Sequence, residues 1–454
     1  MIFVVTAVVF LSSPVYIFGD SHFTLLLSHS ILRHGDVTLD RYLTRPLDPR
    51  LFRHRPTPRL YQVMTARGHT YYVYPVGSSV LSMPFIPALN AMGLAPVRVD
   101  GAYDLDGELA MQRLVASVLM AVLASVFFLT ARLVLSPSWS MIVALGAAFG
   151  TQVWSTASRV LWSHTWGIVL VGLVILLLVV NERRQTSVNP FLLATLLAWA
   201  YFVRPVHSIA VVTVSAYVIL YKYDWKSSVR YAITGGAWLL AFVGYSHHYF
   251  GQALPPYYLH RSFLLGVTLS YLKAYVLTAA GHLVSPSRGV LVYLPIVLFI
   301  AYLLVRYRRT LPSMPLTVLA FANIVGLGVV VSAWKNWWGG HSYGPRLLTE
   351  IVPWLVLLAI MAIGGMLSAS APGPSRRPRS LELAVGAALL VLSVAIHARG
   401  ALAWETVLWN YYPVDVDRRQ ERLWEWNDPQ FLAGALRALG PDAYFYDPRR
   451  PRER

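Results

Sequence analysis

The segment that decides the fold is 110–134, AMQRLVASVLMAVLASVFFLTARLV, in which Arg113 and Arg132 are the only charged residues. An apolar run of this length is long enough to cross the hydrocarbon core of a bilayer as an α-helix. Similar runs recur along the 454-residue chain, which is 56% hydrophobic and 13% charged, with a mean hydropathy of +0.53. A soluble protein of this size could not bury so much apolar surface. The composition therefore predicts an all-α, polytopic transmembrane helical bundle.

About eleven membrane spans are predicted from these runs, and several are short enough to be tilted or to lie in locally thin membrane. Two further apolar stretches, 80–94 and 264–283, are flanked by loop signals and are interpreted as interfacial or re-entrant helices. The predicted spans lie near 2–18, 110–134, 141–153, 164–181, 190–203, 207–221, 231–249, 289–305, 313–333, 347–367 and 381–397.

Two domains are predicted. The transmembrane domain comprises 1–397 and includes 19–109, a long Arg-rich first loop that carries the interfacial helices. The tail, 398–454, is short, aromatic and charged, and we expect it to pack as a cap on one face, with a disordered end at 447–454.

The distribution of Lys and Arg predicts the orientation. Short basic loops remain in the cytoplasm, and four such loops lie near 182–189, 222–230, 306–312 and 368–380. We therefore expect a plasma (inner) membrane protein with a cytoplasmic amino terminus and with its unusual loops outside. The first apolar stretch could also be a signal peptide. Because it lacks a basic region and a small-x-small cleavage site, we predict a retained helix.

The net charge of +17 has two interpretations. A basic protein can bind nucleic acid, but its Arg residues are then clustered on one surface. Here they are scattered between apolar spans, as expected for contact with anionic lipids and phosphates. Nucleic acid is therefore not an expected partner, whereas membrane lipids are. The chain contains no cysteine, which excludes disulfides, thiolate catalysis and cysteine-ligated metals.

Asp20 follows the first apolar run and begins the long first loop. It could be a polar anchor at the helix end or a cap for the amphipathic segment 21–34. An ionisable group at a bilayer boundary is also a candidate functional residue. A carboxylate near low-dielectric lipid is expected to have a raised pKa, which suits a general base.

The loop 334–346, WKNWWGGHSYGPR, is the densest group of unusual residues. It offers aromatic faces for a sugar, glycines that allow close approach, and polar support from Lys335, His341 and Tyr343. Arg346 leads directly into the next apolar span and should find an anionic partner or reach the headgroups. A phosphate suits a planar guanidinium, although an aromatic belt with an anchoring Arg would look similar.

Four further residues are candidates for substrate or phosphate binding. Tyr74 belongs to YYVYPVG at 71–77, which could form a wall against a substrate or an interfacial aromatic belt. Arg288 lies in the turn SPSRG at 285–289, between two apolar stretches. His164 and the Arg204-Pro205 pair fall near the same face. Helix-end anchoring is the alternative for Arg288, His164 and Arg204.

Metal binding is weakly indicated. The thirteen histidines are dispersed, and no His-x-x-x-His spacing pairs with a nearby acid. Zinc is not predicted and no metal ligands are assigned. A divalent cation, Mg²⁺ or Mn²⁺, held by oxygen ligands is left open.

Taken in order, these motifs resemble the GT-C superfamily of integral-membrane glycosyltransferases, which draw sugars from polyprenyl-phosphate carriers. The resemblance covers most of 1–367 and is nearest to mannosyl- and arabinosyltransferases of bacteria. The matching pieces are Gly19-Asp20-Ser-His-Phe, His34-Gly35-Asp36, Asp40-Arg41-Tyr42, Tyr72-x-Tyr74-Pro75-x-Gly77, Trp162-Ser-His164, Arg204-Pro205, Ser285-Pro-x-Arg288-Gly289 and Trp338-Gly-Gly-His-Ser-Tyr-Gly-Pro-Arg346.

The resemblance implies that Asp20 is the catalytic base and that Arg346 and Arg288 hold the carrier phosphate. Many members have two adjacent acids at the first position. Ser21 and His22 follow Asp20 here, so a paired-carboxylate metal site does not carry over.

The predicted function is therefore transfer of a sugar, with inversion, from a polyprenyl-phosphate carrier to a hydroxyl of a glycan, lipid or protein. One alternative is a transporter or flippase for lipid-linked sugars, against which the one-sided distribution of unusual residues and the lack of a repeat argue. Another is a polysaccharide polymerase or ligase that uses a diphosphate carrier.

Overall fold

The computed structural model describes residues 1–17, 19–52, 60–259, 269–369 and 380–436. Within these ranges the regular structure is helical apart from one antiparallel hairpin, β1 Val63–Ala66 and β2 His69–Tyr72. The α-helices, numbered α1 to α19 in chain order, are Ile2–Ser12, Thr24–His34, Asp40–Leu43, Gly77–Ser82, Phe85–Ala91, Leu105–Arg132, Pro137–Phe149, Ser163–Arg184, Pro190–Val203, Ser208–Tyr221, Trp225–Phe250, Pro256–Leu259, Leu269–Val284, Val290–Tyr293, Ile296–Arg306, Met314–Ser332, Val352–Ser368, Ser380–Leu402 and Glu405–Leu408.

A helix lies at each of the eleven predicted spans, which confirms the all-helical membrane architecture. Five apolar helical segments in the described ranges are long enough to cross a membrane, and five more are shorter. How many of them span remains a prediction. The five long segments are Leu105–Arg132, Ser163–Arg184, Met314–Ser332, Arg346–Ser368 and Ser380–Leu402.

Helix α6 is the centre of the bundle. The Asp104 carboxylate caps its amino terminus by accepting from the amides of Asp106 and Gly107. Its apolar sides then pack against α1, α7 and α8. The large core built around these helices also includes α17, whose Trp354 is 1% exposed.

The first helix is shorter than predicted. The apolar run was expected to be helical to residue 18, but α1 ends at Ser12. Pro14 disfavours a helical conformation of the residue before it, and residues 13–17 have no regular structure. The Val15 amide instead donates to the Ala401 carbonyl (3.2 Å). Asp20 is therefore held by a packed connecting segment and not by the end of a helix.

The long first loop forms a small layer of its own. Helices α2 and α3 and the β1–β2 hairpin surround a second apolar cluster, whereas α5 contributes Ile86 and Leu89 to the large core. The stretch predicted as an interfacial helix at 80–94 forms α4 and α5. The other, 264–283, is helical from Leu269, and its first residues lie outside the described ranges. The cluster contains Phe23, Leu26, Leu27, Leu39, Tyr42, Leu51, Tyr72, Tyr103 and Leu105.

The described part of the tail packs on the loop 334–346. Trp337 and Trp338 of the loop form a buried cluster with Trp409, Val416 and Leu423 of the tail. Helix α18 continues to Leu402, slightly beyond the predicted boundary at 397. The predicted disordered end, 447–454, lies outside the described residues.

Candidate active site

One cavity of about 410 Å³ lies where the first loop, the loop 334–346 and the tail meet. Its wall is rich in aromatic rings and contains carboxylates, arginines and glycines, a mixture suited to a sugar joined to an anion. The lining residues are Ile17, Gly19, Asp20, His22, Arg50, Leu51, Tyr61, Gln62, Tyr74, Trp162, Tyr257, Trp334, Asn336, Gly339, Gly340, His341, Arg346, Leu347, Tyr411 and Asp417.

Asp20 and Arg346 meet in this cavity although they lie 326 residues apart in sequence. The Arg346 Nη2 atom donates to Asp20 Oδ2 at 2.6 Å. The Arg346 guanidinium also stacks on Trp162, with Cζ 4.0 Å from the ring centroid. The side chains of Asp20 and Arg346 are 25% and 11% exposed, so both are largely buried but keep some accessible surface.

The pKa of Asp20 is lower than usual, which corrects the raised pKa expected from the sequence. Burial acts to raise the pKa, but the Arg346 charge and hydrogen bonds from Arg346, Tyr74 and Tyr61 outweigh it. The Tyr61 hydroxyl donates to Oδ1 at 2.9 Å. Asp20 is thus fully ionised near neutral pH, with Arg346 as its partner.

Several side chains hold the backbone around Asp20. The Tyr72 hydroxyl donates to the Asp20 carbonyl (2.6 Å), and Gln112 Nε2 donates to the Ser21 carbonyl (2.7 Å). The buried Glu108 carboxylate accepts from the amides of Phe23 (2.9 Å) and Leu25 (2.7 Å). Glu108 therefore caps the start of α2.

Glu108 and Gln112 were not predicted to be site residues. Both belong to an apparently ordinary helix start, although their spacing of four residues places them on one face of α6.

Glycines shape the loop that delivers Arg346. Gly339, Gly340 and Gly344 have φ values of +72°, +64° and +57°, a region that L residues rarely adopt. A Cβ on Gly344 would also lie 2.6 Å from the Tyr293 ring. The chain can therefore turn sharply before Pro345 and place Arg346 at the cavity.

The structure does not place Arg288 in the cavity. Its side chain is 1% exposed, and it donates to Gln430 Oε1, Asn410 Oδ1 (3.0 Å) and the carbonyls of Trp338 (2.8 Å), Ser287 (2.8 Å) and Gly340 (3.3 Å). These acceptors leave the guanidinium no capacity for a carrier phosphate. We therefore replace the predicted phosphate-binding role with a structural one, which joins the tail to the loop.

Tyr343 and Lys335 also lie away from the cavity wall. Tyr343 is 1% exposed and donates to the Ile396 carbonyl at 2.6 Å, so it anchors the loop to α18. Lys335 is exposed and does not line the cavity. The predicted roles of both residues in carrier binding are therefore not supported by their positions. Tyr74 does line the cavity and hydrogen-bonds to Asp20.

His164 and Arg204 are buried and meet a carboxylate that the sequence analysis did not select. Glu350 Oε1 lies 2.6 Å from both His164 Nδ1 and Arg204 Nε. None of the three lines the cavity. Because Glu350 neutralises Arg204, neither predicted residue is placed to bind a phosphate directly.

His341 lines the cavity and forms a group with two carboxylates of the tail. Its Nε2 atom is 2.9 Å from Asp415 Oδ1 and 3.8 Å from Asp417 Oδ2. These three side chains could hold a metal ion, because their ligand atoms lie within 4.8 Å of one another. His341 and Asp415 also form a hydrogen-bonded pair with each other. This hydrogen bond lowers the pKa of Asp415, although burial acts to raise it.

No protein-family model and no curated protein matches this sequence. Among solved structures, the chain is similar to the Archaeoglobus fulgidus oligosaccharyltransferase tethered with an acceptor peptide containing the NVT sequon. The TM-score is 0.51 at 11% identity, and the match covers 94% of this chain and 59% of the other. This chain thus covers less than two thirds of that protein. ArnT from Cupriavidus metallidurans, bound to undecaprenyl phosphate, matches with a TM-score of 0.48 at 13% identity over 89% of this chain and 71% of ArnT.

The oligosaccharyltransferase match identifies the fold. The chain is a multi-pass helical membrane protein whose fold is similar to that of this oligosaccharyltransferase.

Proposed function

We propose that this protein is an inverting glycosyltransferase that moves a sugar from a polyprenyl-phosphate carrier to an acceptor hydroxyl. The observation that carries the proposal is the Asp20–Arg346 pair in an aromatic cavity. A base and a cation for a leaving phosphate are the two groups that a single displacement requires. The GT-C fold supports the same reaction class by analogy.

The close pairing of Asp20 with Arg346 suggests how the base is activated. In the structure, Arg346 donates to Asp20 at 2.6 Å. The carrier phosphate competes for the guanidinium and weakens the contact with Asp20. The pKa of Asp20 then rises, since Arg346 is the main group that lowers it. The base would therefore become effective only when the donor is bound.

The chemical step is one displacement. Asp20 accepts the proton of the acceptor hydroxyl while its oxygen bonds to the anomeric carbon from the side opposite the phosphate. The bond from that carbon to the phosphate oxygen breaks, and the polyprenyl phosphate leaves with the bonding electrons. Arg346 stabilises the charge that develops on the phosphate. One displacement inverts the anomeric configuration.

Aromatic side chains provide the surfaces for the sugar. Tyr257, Trp334 and Tyr411 line the cavity. Flat rings pack against the apolar face of a pyranose or furanose, and Tyr hydroxyls can hydrogen-bond to its edge.

The site is proposed to lie on the extracytoplasmic side. Helix α8 begins next to Trp162 of the site and ends at Arg183 and Arg184. The opposite side also carries Lys222, which pairs with Glu182. Short basic segments remain cytoplasmic, so the cavity would face the other side, in the plasma membrane of a bacterial-type cell.

The residues that fit a divalent cation are His341, Asp415 and Asp417, because imidazole and carboxylate oxygens suit Mn²⁺, and carboxylates suit Mg²⁺. A cation there would add positive charge to the wall near Gly340 and so favour an anionic donor. The displacement described above does not depend on it.

The test is transfer in membrane vesicles supplied with polyprenyl-phosphate mannose or polyprenyl-phosphate arabinose, comparing wild type with Asp20→Asn. We expect the variant to fold and to lose more than about 99% of carrier release, since a missing general base costs about 10²–10⁴-fold. Asp100→Asn is the control, since Asp100 is an exposed acid of the same loop. Near-normal release by Asp20→Asn would refute the proposal, and movement of intact carrier without release would identify a flippase.

A further inference from the structure

A second ionic cluster lies behind the cavity and takes no part in the proposed displacement. Glu350, His164 and Arg204 are 1%, 0% and 6% exposed at their side chains. His207 is 2% exposed and packs so closely on α8 that a Cβ at Gly167 would lie 2.3 Å from its Nε2 atom. Burial of this many polar groups beside apolar helices opposes stability unless they are fully paired.

The cluster is not fully paired. Glu350 Oε2, His164 Nε2 and His207 Nε2 are buried and have no hydrogen-bond partner among the described residues. Unsatisfied buried polar atoms are rare in folded proteins, and each requires an explanation. A cluster selected for stability alone would have fewer of them, or apolar side chains in their place.

Glu350 connects the segment that carries Arg346 with the segment that carries Trp162, and both of these residues line the cavity. It lies four residues after Arg346, within the 3-10 helix Arg346–Ile351 that continues into α17. Through His164 it contacts the start of α8, two residues after Trp162, on which Arg346 stacks.

Arg204 extends the same connection. Its Nη1 atom donates to Ser163 Oγ at 3.0 Å, which adds a second link to the start of α8. Its guanidinium also lies over Trp334, with Cζ 5.8 Å from the ring centroid, and Trp334 lines the cavity. The Glu350–Arg204 pair therefore supports the cavity from behind, through Trp334 directly and through Ser163, the residue next to Trp162.

We infer that Glu350 is a positioning residue: with His164 and Arg204 it fixes Arg346 against Trp162, so that the guanidinium meets the carrier phosphate at one defined place. The inference rests on the proposed function and assigns the buried cluster to donor recognition. Positioning of this kind is energetically important because a shift of about 1 Å can cost up to about 10²-fold in rate.

The first test is binding of a short-chain polyprenyl phosphate to the purified protein in nanodiscs, which needs no acceptor. We expect Glu350→Gln to weaken binding about tenfold, because the amide retains the shape but loses the ion pair. Glu182→Gln is the matched control. Glu182 is also paired, with Lys222 and Ser313, but at the other end of α8.

The second test separates positioning from stability. Glu350→Gln leaves Arg204 buried without a counter-charge, so its thermal stability should fall. The double variant Arg204→Gln/Glu350→Gln removes that imbalance and should recover stability. We expect the double variant still to bind the probe weakly. Recovery of wild-type binding together with stability would overturn the inference.

A third readout is the pH dependence of kcat/KM, which reports groups of the free enzyme. Arg346, Tyr74 and Tyr61 are the groups whose contacts lower the pKa of Asp20, while burial raises it. Loosening Arg346 should move the acid limb of the Glu350→Gln profile to higher pH. A merely structural role would lower the yield of folded protein and leave the acid limb in place.

The two proposals fail in different ways. If Arg346→Ala weakens probe binding but Glu350→Gln binds like wild type, the positioning role is wrong and the proposed function stands. If Arg346→Ala binds the probe as wild type does, the proposed function loses its phosphate site.

Discussion

The surroundings of Arg346 and of Arg288 differ in how many acceptors each guanidinium meets. Arg288 is 1% exposed and donates to five acceptors that join the tail to the loop 334–346. Arg346 is 11% exposed, pairs with the single carboxylate of Asp20 and lines a 410 Å³ cavity.

The two arginines follow similar sequence signals, a turn with glycine or proline beside an apolar stretch. The difference shows that local sequence can predict that an arginine is buried or lies at a membrane boundary. It does not predict how many of the N–H donors of that arginine are already hydrogen-bonded within the protein. A guanidinium has five N–H donors. An arginine can bind a ligand only if some of these donors remain unused and lie beside a cavity.

The largest expected difference between the two regions is in transfer rate. Arg346→Ala should lower kcat/KM by about 10²–10³-fold, the usual result of removing one group that stabilises developing charge. The variant should fold, because the lost side chain stands beside open space. Carrier release in vesicles measures the rate, and binding of carrier and acceptor is measured separately. Equal loss of affinity for both would count against a phosphate-specific role.

Arg288→Met should affect stability first. Removing the guanidinium leaves buried acceptors unsatisfied, at a cost of about 1–3 kcal/mol in the free energy of unfolding. We expect a lower thermal unfolding midpoint in detergent and a tail that is cleaved faster by protease. Arg306→Met, at the end of α15, is the control. If Arg288→Met retains wild-type stability and protease resistance, the structural role is incorrect.

The pH dependence of kcat/KM should also distinguish the surroundings of Arg346 from those of Arg288. Because the pKa of Asp20 is lowered, Asp20 stays ionised and active until the pH falls below the usual aspartate pKa of about 3.9. In Arg346→Ala that lowering is lost, so the acid limb of the residual kcat/KM should move to higher pH. An unchanged limb would show that Asp20 is not the group being titrated.

The smallest expected effect concerns Tyr61, whose hydroxyl donates to Asp20 at 2.9 Å. Tyr61→Phe removes one neutral-to-charged hydrogen bond, worth about 1.5–3 kcal/mol when fully buried and less here because the residue is exposed. We expect a severalfold change in kcat/KM and a slight upward shift of the acid limb. Tyr302→Phe, on an exposed helix surface, should change neither.

Much of the fold was predictable because its signals are local. Long apolar runs such as 110–134 predict helices without reference to any partner, and each predicted span contains one. The end of the first helix was wrong because Pro14 and the contact of Val15 with Ala401 determine where α1 stops. That contact joins residues from opposite ends of the chain.

The site was predictable in part. The Gly19-Asp20 boundary and the glycine-rich loop 334–346 correctly indicated two residues that meet. Glu350 was missed because it lies in an apolar segment and resembles part of a helix end. Its contacts are with His164 of α8 and with Arg204, which directly follows the end of α9.

The sequence by itself determined that the chain is a helical membrane protein with its unusual polar residues on one face. Hydrophobic length and the position of charges are properties of single segments, and the bilayer acts on each segment separately. Only the tertiary structure decided which charges face each other: Asp20 with Arg346, Glu350 with Arg204, and Arg288 with the tail. Ion pairing and burial depend on distances of a few ångströms between segments far apart in sequence, and the order of residues does not contain those distances.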